Sequence, residues 1–318
     1  MSGVIHTGST ARAKSQLGRA FWEFQPSRLS LIADRVLVPY GKGRKEGTID
    51  VVTREDLLRD EGTKMAAGAT YKRGHMRFES QLYDCEKYGF EVPNALEKIK
   101  EYEDSLDLEL AGTRKCRLAI GIDIEREVSA LVFNTSTWTG SDLYTDTSGV
   151  WSAAATDIIG DVVAAAEKVR QNTGMEPNAL ILNKVNLNYM LTNTGIKGQF
   201  NADIVTRAMI EQALPSLFGL EELIVAGGVY NSAGENQSFS ASEMWSSSYA
   251  MVALVAGSGD DTEVPCVGRT IRWDGISGEG VDVSTYWENQ TKSYVVQADT
   301  WEDHKVFDKY FGHLLKVD

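Results

Sequence analysis

The chain has 318 residues, 42% of them hydrophobic and 24% charged with only 6 Pro, which excludes a disordered chain and allows one large core or two smaller ones. Its 45 Asp and Glu outweigh 32 Lys and Arg, a net charge of −13 that argues against a protein built to grip nucleic acid. The longest uncharged apolar stretch lies near Tyr249–Ala256, far short of the roughly 20 residues of a membrane span, and the N-terminal residues lack the apolar core of a secretory signal.

Residues 1–30 show no helical or strand period and end in the aromatic cluster Phe21, Trp22 and Phe24. With so few apolar residues the segment cannot bury itself, so it reads as an extended arm with one sticky point. Leu31–Val38 and Thr48–Val52 read as strands joined by the basic, Gly-rich stretch Pro39–Gly47. Tyr71–Tyr83 reads as a further strand, alternating in part through Met76, Phe78 and Leu82. Between them Arg54–Ala69 is charged and punctuated by Gly. A polar connection of that length forms no core of its own, so a long hairpin projecting from the body is expected over 31–82.

Asp107–Phe133 contains no Pro and two Gly. Leu110, Ile120, Ile124, Val128 and Leu131 recur at helical steps, with Leu118 and Ile122 beside them and charged residues between, Glu125 among them. The spacing predicts a helix of about 40 Å, long enough to be a spine. A second helix is expected over Thr156–Asn172, capped by Thr156 or Asp157 and closed at Gly174. A buried strand at Ala179–Leu182, helices near Lys184–Leu191 and Asp203–Leu214 (stopping at Pro215), and a strand at Glu222–Ala226 make a small α/β layer. Tyr249–Ala256, Val267–Trp273, Val281–Trp287 and Lys292–Gln297 read as an antiparallel sheet.

Signatures of chemistry are missing. His6, His75, His304 and His313 have no second ligand at metal spacing, so no metal site is expected. Cys85, Cys116 and Cys266 stand outside any CxxC pair and read as reduced structural thiols. No GxSxG elbow is present, and no catalytic residue is assigned. Tyr40–Gly47 lacks the GxxxxGK[ST] cradle and is followed by a strand where a helix would be needed, so it reads as a basic hairpin tip. Asp260, Asp261 and Glu263 lack the alternation of a calcium loop and read as a solvated turn.

Charge is unevenly placed. Residues 1–80 hold 14 Lys and Arg against 9 Asp and Glu, a net of +5, and residues 81–318 hold 18 against 36, a net of −18. Either the surface is merely uneven, or the basic N-terminal region lies on an acidic neighbour.

Two segments carry a resemblance. Val132-Phe-Asn-Thr-Ser-Thr-Trp138 leads through Trp151 and Asp157-Ile-Ile-Gly-Asp161 to Met175-Glu-Pro-Asn-Ala-Leu-Ile-Leu182, and Leu217-Phe-Gly-Leu-Glu-Glu-Leu-Ile-Val225 runs to Tyr230-Asn-Ser232. With the order of the elements around them, they resemble the major capsid proteins of tailed phages, the Hong Kong 97-like fold. The resemblance implies an α+β chain with an N-terminal arm (1–30), an extended loop (31–82), a peripheral domain (83–175 with 265–318) containing the spine helix at about 107–133, and an axial domain (176–264). It implies assembly without cofactor or turnover, into hexamers and pentamers of an icosahedral shell around double-stranded DNA, built in the host cytoplasm and ending in the virion. Only some thirty residues precede the first strand, so a separate scaffolding protein, or a domain removed earlier, is expected, beside a portal and a possible decoration protein. Lys42, Arg44, Lys45, Arg54, Lys72, Arg73, Phe21 and Trp22 are the expected inter-subunit contacts. Lys42, Lys45 and Lys64 lie where some relatives crosslink, but no partner is identifiable and no crosslink is expected. Two other readings compete: an encapsulin-like nanocompartment shell, which the polar loop and early arm disfavour, and a soluble α/β enzyme, for which no convergent titratable pocket can be assembled.

Overall fold

The computed structural model describes residues 12–13, 21, 31–52, 54, 58–60, 63–65, 67–71, 73–75, 77–102, 107–147, 149–200, 206–234, 236–259, 262–275, 278 and 280–318. One sheet runs in the order β1 (Arg12–Ala13), β13 (Asp282–Glu288), β14 (Ser293–Val306), β12 (Gly268–Trp273) and β2 (Pro39–Lys42), with β5 (Glu86–Ala95) also paired to β14. The 14 residues of β14 carry β13 and then β12 along one edge while β5 runs along the other, all antiparallel. Short α1 (Ala33–Val36) precedes β2, and α2 (Leu96–Tyr102) follows β5.

The long helix α3 (Leu108–Val132) crosses β5 and β14. Asp107 opens it, its carboxylate accepting from the N–H groups of Glu109 (3.0 Å) and Leu110 (3.1 Å). A Cβ at Gly112 would stand 3.2 Å from Val296 Cγ2, so this glycine lets helix and sheet close on each other. Cys116, Ile120, Ile124, Val128 and Val132 form the buried stripe, at most 4% exposed. Ile124→Asp sets an unpaired carboxylate in that stripe and is expected to cost on the order of 4 kcal/mol. The check is the soluble fraction on expression, which should fall to near zero.

The second sheet orders β6 (Tyr144–Asp146), β15 (Gly312–Lys316), β11 (Tyr249–Ala253), β7 (Ala179–Asn183) and β8 (Glu222–Ala226). Helices α4 (Ile158–Thr173), α5 (Lys184–Thr192) and α7 (Arg207–Phe218) cover one face through Ile158, Val162, Leu187, Ile210 and Leu214. Phe133, Trp138, Trp245 and Met251 lie on the other. Covered twice, β7 is buried at all five positions, which is why it reads as an unbroken apolar run. Helix α6 (Thr194–Gly198) follows α5, and a ribbon of β9 (Val229–Asn231) and β10 (Ala241–Glu243) leaves the sheet beyond β8.

One buried carboxylate ties these parts together. Glu125, 1% exposed on α3, accepts from the backbone N–H groups of Ile32 (2.8 Å) and Ala33 (2.9 Å) and from Trp245 Nε1 (2.6 Å). It thereby caps α1 from a distant helix and fixes the tryptophan that follows β10. Burial pushes its pKa up and the three donors hold it down, with burial the larger influence.

Several expectations are corrected. Leu31–Val38 is not a strand, because Glu125 supplies the cap that turns Ala33–Val36 helical. Pro39–Lys42 is no hairpin tip but β2, parallel to β12 in the sheet. The hairpin is instead β3 (Glu46–Val52) with β4 (Phe78–Asp84). Its strands pack on the body, where Ile49, Val51 and Tyr83 meet Ile271, Trp301 and Phe307. The alternation in β4 has the opposite sense to that expected: Tyr83 is buried, while Phe78 and Leu82 face outward. Neither Tyr249–Ala253 nor the C-terminal strand belongs with the closing sheet, for β11 and β15 pair with each other in the α/β layer. Helix α7 runs through Pro215 to Gly219, whose φ of 71° closes it. A proline so near the C-terminal end removes only one intrahelical bond, and residues 203–205 lie outside the described residues.

Candidate subunit-contact surface

β3 and β4 are docked at their root by Gln81 Nε2 donating to Phe307 O (2.9 Å) and Asp84 N donating to Asp303 Oδ2 (2.9 Å). Between Val52 and Phe78 runs the connection 53–77. From residue 58 to residue 77 every described residue is exposed, Leu58 at 53% and Tyr71 at 85%. Both are apolar side chains held in water on a stretch whose described residues form no core of their own.

The expected contact residues divide into four groups. Arg44 and Lys45 are exposed in the turn between β2 and β3, and Arg73 is exposed in the connection. Lys42 is half-buried with its ammonium 5.0 Å from the Tyr40 ring centroid. Arg54 and Phe21 are used inside the chain. The Arg54 guanidinium stacks 3.4 Å from the Tyr310 centroid and donates to Asn172 O (3.1 Å). Phe21, 0% exposed, belongs to the main core under the Arg117 guanidinium, which leaves it no area to offer a neighbour. Lys72 and Trp22, like His6, Asp260 and Asp261, lie outside the described residues. Sequence reading missed Leu82 as an outward residue, though its neighbour Tyr83 is the larger apolar group and the natural one to bury. A second uncovered patch, Phe239 at 71% and Val229 at 44%, sits on the β9–β10 ribbon.

No group of three or more His, Cys, Asp or Glu that could hold a metal ion exists among the described residues. Nor is any helix among them long and apolar enough to cross a membrane. Cys85 and Cys116 are buried, and burial pushes both thiols up to about 11, which keeps them protonated. His304 Nδ1 meets Thr270 Oγ1 at 2.8 Å. His313 lies between Thr145 Oγ1 (2.8 Å) and Asp142 O (3.0 Å), and burial lowers its pKa from the ordinary 6.5. Below about pH 6.5 the unfolded chain therefore takes up a proton that the folded chain refuses, and stability is expected to fall with pH. A series of thermal melts from pH 8 to pH 5 checks this, with His313→Asn expected to flatten that part of the slope.

No family model and no curated protein matches the chain. Solved structures do. A phage-related protein from Bordetella bronchiseptica RB50 has a TM-score of 0.73 at 19% identity, over 96% of this chain and 97% of its own. The capsid of cyanophage P-SCSP1u gives 0.56 at 10% identity, over 92% and 90%. An encapsulin from Synechococcus elongatus PCC 7942 gives 0.53 at 12% identity, over 92% and 89%. The chain has the fold of the Hong Kong 97-like capsid proteins.

Proposed function

We propose that the chain is a tailed-phage major capsid protein, a structural subunit that assembles through hexamers and pentamers into an icosahedral shell around double-stranded DNA. The observation that carries this reading is a fold shared with phage capsid proteins over nine-tenths of the chain or more. The described residues from 58 to 77, all exposed, support it, because such a segment gains burial when subunits meet. In this reading residues 1–30 are the arm, 31–82 the extended loop, α3 the spine, 83–175 with 265–318 the peripheral domain and 176–264 the axial domain. Within 265–318, β15 pairs with β11 of the axial segment. The charge split, +5 against −18, is read as attraction between copies. A separate scaffolding protein, a portal and a decoration protein are the proposed partners, with assembly in the host cytoplasm and the virion as destination.

A second reading, a nanocompartment shell, is favoured by the similarity to an encapsulin. The contents of particles purified from producing cells separate the two. Genomic DNA supports the phage reading, and a packaged enzyme without DNA overturns it.

A further inference from the structure

The ribbon of β3 and β4 gives one face to the body and leaves the other uncovered. Its outward residues are Glu46, Thr48 and Asp50 on β3 and Phe78, Ser80, Leu82 and Asp84 on β4, all exposed, and the open face ends at Val52, which pairs with Phe78 and is buried. That face carries three carboxylates and no Lys or Arg. It also shows two apolar side chains to water, Leu82 at 75% and Phe78 at 46%. Toward the root it opens into a groove of about 590 Å³ lined by Glu46, Leu82, Asp84, Glu86, Asp303 and Lys305. Lys305 is already held 3.3 Å from Asp303, and Arg44 and Lys45 flank the root from the preceding turn. No third strand pairs with the ribbon among the described residues.

The chain carries the complement of this face. Residues 63–77 contain Lys64, Lys72, Arg73 and Arg77 and no Asp or Glu. They also expose Tyr71 at 85% and Met65 at 37%. From Leu58 to Phe78 the connection can carry its midpoint about 30 Å from the ribbon, the scale of a neighbouring subunit. Reaching the same copy's groove is disfavoured by the direction of the chain. The connection leaves the ribbon at the Val52–Phe78 pair, whereas the groove lies at the Glu46–Asp84 pair, about 20 Å back along the strands. Arg54 and Leu58 further hold its first residues toward Tyr310 and Gly174.

We infer that the outward face of the β3–β4 ribbon is the docking surface for residues 63–77 of a second copy, with Tyr71 and Met65 against Leu82 and Phe78 and Lys64, Lys72 and Arg73 over Glu46, Asp50 and Asp84. The inference rests on the proposed reading of the connection as a contact between subunits, and it names the surface that receives it.

The first test is zero-length carbodiimide crosslinking of the wild-type chain, in a mixture of isotope-labelled and unlabelled subunits. Links from Lys64 or Lys72 to Glu46, Asp50 or Asp84 across differently labelled copies are expected. Links confined to one copy, or to carboxylates outside this face, overturn the inference. The second test is a charge exchange at exposed positions, read by light scattering, with circular dichroism to confirm the fold. Lys64→Glu with Arg73→Glu, and separately Glu46→Lys with Leu82→Lys, should each slow association about tenfold at an ionic strength of about 0.01 M. The chain bearing all four changes should recover most of that loss, and no recovery overturns the docking surface. Wild-type shells with links elsewhere would refute this surface alone, whereas a wild-type chain that never associates would refute the proposed function itself.

Discussion

Glu125→Ala is expected to lower the unfolding free energy by on the order of 4 kcal/mol, since three buried donors lose their acceptor at about 1–3 kcal/mol each. Relief of the carboxylate's own desolvation offsets part of that sum. Ile32 N, Ala33 N and Trp245 Nε1 are the donors, so the damage should begin locally. Amide exchange at residues 32–36 should accelerate, and Trp245 emission should shift to the red before global unfolding. Glu125→Gln keeps one acceptor but turns an amide N–H toward a converging donor, and should fall between the two. Equilibrium denaturation checks the magnitude, and a loss below about 1 kcal/mol would mean that the surrounding packing, not this carboxylate, holds α1 against α3.

Deletion of residues 59–75 should have the opposite profile. Every described residue in that stretch is exposed, and shortening a surface loop changes its closure entropy by only about 0.6 kcal/mol per halving of length. Arg54 and Leu58, the residues that tie the start of the connection to Tyr310 and Gly174, are kept. Melting and circular dichroism should therefore match the full chain, while closed shells should be lost. Normal shells from the shortened chain would show that the connection only decorates the surface.

The long-range features were the least legible from sequence. Helices α3 and α4 could be read because their period, their caps at Asp107 and Asp157 and the left-handed Gly174 are all local signals. Strand β7 announced itself by its apolar run. Glu125 did not, because a lone carboxylate within a helical period looks like part of a solvated face. Its donors come from residues 93 and 120 positions away. The pairing of β3 with β4 spans the whole polar connection, and β15 is a five-residue strand whose partner, β11, lies some sixty residues upstream. In β5, Gly89 and Pro93 argue against a strand, yet the outer edge of the sheet tolerates both. Composition could only count the basic residues, and it is the fold that separates Arg44, Lys45 and Arg73, which face water, from Arg54, which is spent on Tyr310.

Electron cryo-microscopy of the overexpressed chain, alone and with a co-expressed scaffolding partner, tests the central claim most directly. Closed shells are expected in which this chain forms five-fold and six-fold clusters, with residues 63–77 of each copy resting on the next. A chain that stays monomeric across concentration, salt and partner, with the connection folded onto its own body, would contradict it.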